Sequence, residues 1–303
     1  MNLILCLFCN HCIYGGCKMK IGMNLFLWTD CPVYEKHADI IRYIKKIGYD
    51  GVEFPVAFMT MEDIGKFRVL CEELGLERTA VCTMDPAVCD PISEDKSLRE
   101  ASLICISEWC DKTLALGATL LSGPFFQGLG RNAGRRRTQE EWDMALDVLR
   151  RAFQIAADKG VTIAMEPLNR FEMYFANTIS DAKKFVIELG LPNVGILGDT
   201  MHGNIEEYHI EESYPGAMPY LKHIHISEST RGTPGAGHAI PDNFFQKLYE
   251  AGYDGYLTIE AFTGGTTPSM IPALHLWNDS EDSADVLCAK GYRFIRSHLD
   301  ALH

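Results

Sequence analysis

Along this chain, short apolar runs alternate with longer stretches in which apolar residues recur at helical spacing. The runs Ile21–Leu27, Gly51–Phe54, Glu77–Cys82, Thr119–Ser122, Val161–Met165, Val194–Asp199, Leu221–His225 and Tyr256–Glu260 predict strands. The stretches between them predict helices over Glu35–Ile47, Met61–Leu74 and Lys96–Leu116. A fourth helix opens on the capping box Thr138-Gln-Glu-Glu141 and ends near Gly160, and a fifth opens on Thr178-Ile-Ser-Asp181 and ends at Gly190. A looser helical segment covers 205–218, and Asp242–Ala251 and Ser283–Leu302 complete the set. Gly75 fits a helix C-cap, and Pro55 and Gly123-Pro124 close strands. Eight strand-then-helix units in succession predict an α/β fold, a single (β/α)8 TIM barrel, over residues 19–303.

Four of the later strands end in, or carry, a charged or ligating residue. Val161-Thr-Ile-Ala-Met leads to Glu166, Val194-Gly-Ile-Leu-Gly to Asp199, Leu221-Lys-His-Ile to His225, and Tyr256-Leu-Thr-Ile to Glu260. A charge at the end of a buried strand is costly unless something pairs it. The intervals between the four are 33, 26 and 35 residues, each about one β/α unit. In a parallel barrel those strand ends converge on one face, where such folds do chemistry. Three carboxylates and one imidazole form a donor set suited to a hard divalent cation. Glu172, His202 and Arg231 follow these strands within a few residues. Such side chains either stabilise their loops or hold the hydroxyls of a polyol beside the metal. His223 lies two residues before His225, shares its face of the strand, and reads as a hydrogen-bonded barrel-interior histidine.

Composition narrows the classes. Of the 303 residues 47% are hydrophobic, ample for one large core, and the formal net charge of −13 argues against a nucleic-acid partner. No apolar run reaches the roughly 18 residues of a membrane span. Eleven cysteines without a framework read as reduced thiols in a cytoplasmic protein. Four of them, Cys6, Cys9, Cys12 and Cys17, fall in residues 1–18, which read as a disordered extension or an upstream start, the fold beginning near Met19. Arg135-Arg136-Arg137 would grip a phosphate or, more plainly, form a solvated helix approach or a subunit contact.

The segments Met165-Glu166-Pro-Leu-Asn-Arg-Phe-Glu172, Leu197-Gly-Asp199-Thr-Met-His202, His223-Ile-His225-Ile-Ser-Glu-Ser-Thr-Arg231-Gly and Gly252-Tyr-Asp-Gly-Tyr-Leu-Thr-Ile-Glu260-Ala-Phe262 resemble the ketose 3-epimerases. These are the D-tagatose, D-psicose (allulose) and L-ribulose 3-epimerases of the xylose-isomerase-like barrels. The resemblance runs from about Met19 to the C-terminus. It implies a Mn²⁺ site, with Co²⁺ or Mg²⁺ as alternatives, formed by Glu166, Asp199, His225 and Glu260. It implies that Glu172, His202 and Arg231 bind the substrate, and that Glu166 and Glu260 are the catalytic acid/base pair. The reaction implied is inversion at C3 of a free ketohexose or ketopentose through a cis-enediolate. The long apolar segment Gly264–Asp279 implies a homodimer or homotetramer, unless it packs on its own chain.

Two departures bear on the sugar. The family pattern would place an aromatic at Asn24, and a Trp within Gly123–Gly130, where this chain has none. Other metal enzymes on the same barrel remain in view: aldose–ketose and hydroxypyruvate isomerases and inosose dehydratases, which share the carboxylate–histidine set. An endonuclease IV-like nuclease would need more ligands and a basic groove. A non-catalytic sugar-binding barrel would not need both Glu166 and Glu260.

Overall fold

The computed structural model describes residues 19–263, 270–280 and 282–302. The expected N-terminal extension with its four cysteines lies outside them. Eight parallel strands close a barrel in chain order: β1 (Lys20–Asn24), β2 (Gly51–Pro55), β3 (Glu77–Val81), β4 (Leu120–Gly123), β5 (Thr162–Met165), β6 (Val194–Asp199), β7 (Leu221–Ile226) and β8 (Tyr256–Ile259). Around it run α1 (Tyr34–Ile47), α2 (Met61–Leu74), α3 (Lys96–Ala115), α4 (Gln139–Asp158), α5 (Ile179–Leu189), α6 (Thr200–Glu206), α7 (Ile210–Ser213), α8 (Phe244–Glu250), α9 (Met270–Ala273) and α10 (Ala284–Asp300). The single (β/α)8 barrel is as expected, because strands buried on both faces need a helix between each pair.

Local signals set most boundaries. Thr60 accepts the Asp63 N–H to start α2, and Gly75, at φ 62°, ends it in the left-handed region that glycine enters freely. At α4 the Thr138 side chain takes the Glu141 N–H while Glu141 takes the Thr138 N–H, a complete capping box. The amphipathic α1 turns Ala38, Ile41 and Ile44 into the core. Two boundaries differ from expectation. The first strand stops at Asn24, not Leu27, because the Asn24 side chain accepts the Phe26 N–H at 2.8 Å and turns the chain into a short 3-10 helix. The helical stretch expected over 205–218 begins earlier, at Thr200, and breaks into α6, α7 and a 3-10 turn at Pro215–Ala217. Asp199 caps α6 as soon as β6 ends, and Pro215 lacks the N–H that a continuous helix would use.

The arginine run is committed to the fold. Arg135 makes a two-pronged pair with Glu141 at 2.9 and 3.0 Å. Arg137 donates to Asp181 at 2.9 Å and to the Phe175 carbonyl at 2.7 Å, and lies over the Trp142 ring. Burial would raise the Glu141 carboxyl, but Arg135, the Thr138 N–H and the Tyr174 hydroxyl hold it down to about 2. Two of the three arginines are thus engaged in pairs within the chain. Among the described residues no helix is long and apolar enough to cross a membrane, and Cys31, Cys71, Cys82, Cys89, Cys105, Cys110 and Cys288 are free thiols.

Candidate active site

Every strand brings a polar side chain to the C-terminal half of the barrel. Register makes them neighbours: Asn24 on β1 pairs with Glu53 on β2, and Glu53 with Thr79 on β3. On the other side Asp199 of β6 pairs with His225 of β7, and His225 with Thr258 of β8. Glu166 is seated where β5 leaves the sheet, its N–H donating to the Gly123 carbonyl at 2.9 Å. Gly123 has φ 147°, and a Cβ there would run into the Cys82 carbonyl, so β4 can turn away at this point only with glycine.

Glu166, Asp199, His225 and Glu260 converge as expected. Each offers a donor atom within 4.8 Å of the others, and all four residues are buried. His225 Nδ1 lies 3.4 Å from Glu260 Oε1, 3.8 Å from Glu166 Oε1 and 3.9 Å from Asp199 Oδ2. Asp199 divides its oxygens: Oδ1 caps α6 through the N–H groups of Met201 and His202, which leaves Oδ2 for the cluster. Two buried atoms in the centre, Glu166 Oε1 and His225 Nδ1, have no hydrogen-bond partner. Such orphans are rare because each costs the desolvation of a polar group. A divalent cation would satisfy both, so the residues present fit one.

The electrostatics agree with that fit. Burial, reinforced by Glu260 and Asp199, pushes the Glu166 carboxyl well above the carboxylate range. Asp199 is pushed up to about 6, mainly by burial and by Glu260, against the pull of Arg231. Burial would lower His225, but Glu53 and Glu260 push it up to about 10. The cluster by itself retains protons, and a divalent cation would replace them.

Glu172, His202 and Arg231 close in on the same point. Glu228 gathers the N–H groups of Ser229, Gly235 and Ala239 and so folds the loop after β7, in which Arg231 sits at φ 59°. The Arg231 guanidinium, buried against the Phe262 ring, donates to Glu260 at 2.8 Å and lies 3.7 Å from Glu172. Asn169 donates its side-chain amide to Glu172 at 2.9 Å and its backbone N–H to His202 Nδ1 at 3.1 Å. On the other side of the ring, Arg231 Nη2 meets His202 Nε2 at 3.1 Å, so both ring nitrogens face a donor and the neutral imidazole can accept only one of them. Burial, together with the Arg231 and His225 charges, keeps His202 well below its ordinary range and therefore neutral. Of these groups Asn169, Glu172 and Arg231 line a cavity of about 750 Å³ whose wall also includes Phe171, Met201, His275 and Trp277.

The structure brings together all seven residues singled out from the sequence. His223 is in the barrel interior as expected, but its Nε2, 3.0 Å from Glu53 Oε1, is too poorly aligned for a hydrogen bond. Glu53 itself, with Asn24 and Asn169, escaped sequence reasoning. The one available signal was a lone carboxylate in the otherwise apolar run Gly51–Pro55. In the loop after β4, Phe125 and Phe126 are core residues and stay out of the cavity wall. Of the long segment after β8, residues 264–269 lie outside the described set; Leu274 and Leu276 beyond them pack on Phe26 and Phe262.

Comparison with known proteins agrees with this picture. The model of the xylose isomerase-like TIM barrel family matches residues 41–288. A ketose 3-epimerase of Arthrobacter globiformis is 30% identical over 285 residues, 94% of this chain and 98% of the relative. A 3-dehydro-D-guloside 4-epimerase of Escherichia coli K12 is 30% identical over 247 residues, 80% of this chain and 92% of the relative. The crystal structure of a Methylomonas sp. D-allulose 3-epimerase in complex with D-allulose superposes with a TM-score of 0.85 at 27% identity, covering 93% of this chain and 97% of that one. The chain therefore belongs to the xylose isomerase-like TIM barrels and, among them, to the ketose 3-epimerases, enzymes of the isomerase class.

Proposed function

We propose that this protein inverts C3 of a free ketose, with Glu166, Asp199, His225 and Glu260 holding one divalent cation and Glu166 and Glu260 acting as the two proton-transfer groups. The observation that carries this reading is the pair of orphaned atoms, Glu166 Oε1 and His225 Nδ1, within a ring of three carboxylates. The cation, Mn²⁺ by family resemblance, would polarise the sugar's C2 carbonyl and offset the charge of an enediolate. C3 is α to that carbonyl, so its proton is the one that becomes acidic. Glu166 projects from the end of β5 and Glu260 from the end of β8, with cluster atoms within 4.8 Å of one another. A planar enediolate between them would present one face to each carboxyl, so one removes the proton and the other returns it with inverted configuration. Glu260 is met by donors from Arg231 and Asn24, whereas Glu166 Oε1 meets none; the two carboxyls are held unequally before substrate enters.

Beside the cluster, His202 Nε2 and Arg231 Nη2 lie 3.1 Å apart. The Arg231 guanidinium supplies donors and Glu172 an acceptor for sugar hydroxyls, which supports a substrate-binding role for these residues with His202. The alternative chemistries on this barrel differ in product. C3 inversion yields another ketose, aldose–ketose isomerisation yields an aldehyde, and dehydration of an inosose yields a dione. Inversion at C4 of a 3-keto sugar, named for the E. coli relative, uses the same acidity α to a carbonyl. Incubation of the Mn²⁺-supplemented protein with a panel of ketohexoses, ketopentoses and 3-keto glycosides, followed by chromatography, tests the reading. A C3-inverted ketose is expected; an aldose or a dione as the sole product would refute it. The same proposal includes a homodimer or homotetramer, in keeping with two large aromatic side chains, Phe171 and Trp277, exposed at 68% each beside the cavity. Light scattering at micromolar concentration should return a multiple of the monomer mass, and a clean monomer would count against assembly.

A further inference from the structure

Glu53 is fully buried in the middle of β2 and contributes no atom to the four-residue cluster. Its carboxylate is nonetheless the most heavily engaged in the barrel. Oε2 receives Asn24 Nδ2 and His225 Nε2, each at 2.8 Å, while Oε1 receives the hydroxyls of Thr79 at 3.2 Å and Ser122 at 3.1 Å. An ionised carboxylate only accepts, so the His225 nitrogen facing it must carry hydrogen. In the neutral imidazole the other nitrogen, Nδ1, is then a bare lone pair. That atom is the one aimed at Glu166, Asp199 and Glu260.

Asn24 extends the same control. Its Oδ1 accepts the Phe26 N–H at 2.8 Å, which fixes the amide with Nδ2 toward the carboxylates. From there Nδ2 bridges Glu53 Oε2 at 2.8 Å and Glu260 Oε1 at 3.3 Å. Glu53, His223 and His225 also carry metal-ligand chemistry, but both Glu53 oxygens already meet donors from the barrel, and His225 Nε2 is one of them.

We propose that Glu53 is a positioning residue: by holding the His225 Nε2–H it presents Nδ1 as the metal ligand, and through Asn24 it fixes the orientation of Glu260. This rests on the reading of Glu166, Asp199, His225 and Glu260 as a cation site. Outer partners of this kind typically account for 10- to 100-fold in metal affinity. The test is Mn²⁺ affinity of the metal-free full-length protein by chelator competition, for wild type and Glu53→Gln. The variant should bind Mn²⁺ about 10- to 100-fold more weakly, with unchanged circular dichroism and elution volume. Affinity within twofold of wild type would overturn the proposal. A second measurement needs no variant. In ¹⁵N-histidine-labelled wild type loaded with ¹¹³Cd²⁺, His225 should show cadmium coupling at Nδ1 and a bonded hydrogen at Nε2. The opposite pattern overturns the proposal even if Glu53→Gln fails to fold. Should wild type take up no cation in the competition assay, the cation reading itself has failed and this inference falls with it.

Discussion

Asp199→Asn and His225→Ala are each expected to leave the protein without stoichiometric divalent cation and to lower kcat by more than about 100-fold, the upper range seen for outer partners alone. The two variants fail for different reasons. Asparagine at 199 keeps an oxygen to cap α6 through the Met201 and His202 N–H groups, so the helix and the His202 backbone should stay in place. It also removes a carboxylate that burial, reinforced by Glu260, makes costly to ionise in the metal-free barrel. Its metal-free form should therefore melt at or above the wild-type temperature, while losing the rise that Mn²⁺ gives wild type. Alanine at 225 instead opens a void beside Glu53 and removes its His225 partner, breaking a buried pair of the kind that costs about 3–5 kcal/mol. Its melting temperature should fall with or without metal. In wild type, saturation at 100 times Kd stabilises by about 2.7 kcal/mol, which chelation should remove. Elemental analysis is the check: full metal in both purified variants would sink the assignment of the four ligands.

The second large effect concerns the proton. In D₂O, a ketose turned over by the enzyme should acquire deuterium at C3 of the inverted product, provided the returning carboxyl exchanges with solvent first. Glu166→Gln and Glu260→Gln should each reduce epimerisation by at least the 10²- to 10⁴-fold typical of a lost acid/base. Both positions also belong to the cluster, so metal content must be measured in the same samples. A Gln variant that keeps its metal separates the roles. The remaining carboxyl can still take a proton from one face and return it there, so exchange on one configuration should outlive epimerisation. NMR of C3 reads both processes in one experiment. Efficient inversion with C3 protium fully retained would speak against two opposed bases, and transfer of label between C1 and C2 would mark an aldose–ketose isomerase.

The cluster was legible in the sequence because each of its members ends, or nearly ends, an apolar run and the runs recur at the β/α interval. Glu166, Asp199, His225 and Glu260 therefore declared both their chemistry and their common face. Glu53 did not, for a physical reason. It lies mid-strand, its role is to receive donors from Asn24, Thr79, Ser122 and His225, and the last of these is 172 residues away. Spacing reports neighbours along a period; a buried acceptor shared by several strands has no period. The early start of α6 was hidden because Asp199 reads as the end of a strand and a candidate ligand, while its side chain also caps the helix that follows at once. The bend at Asn24 was hidden likewise, since Leu25, Phe26 and Leu27 continue the apolar pattern of a strand while the asparagine side chain ends it.

The cavity and the four-residue cluster are built from different parts of the fold. The cluster stands on or beside the ends of barrel strands, which carry no slack. The cavity wall includes Phe171, the loop through Arg231 to Thr233, and residues 274–280, all on connections between elements. Inheritance can act on the two separately. Insertions and exchanges in those connections would reshape the cavity without touching the register that aligns Asp199 with His225. A lineage with this plan can change its diet while conserving its chemistry, and relatives named for different carbon centres and sugars, at about 30% identity to this chain, are the divergence such a plan permits.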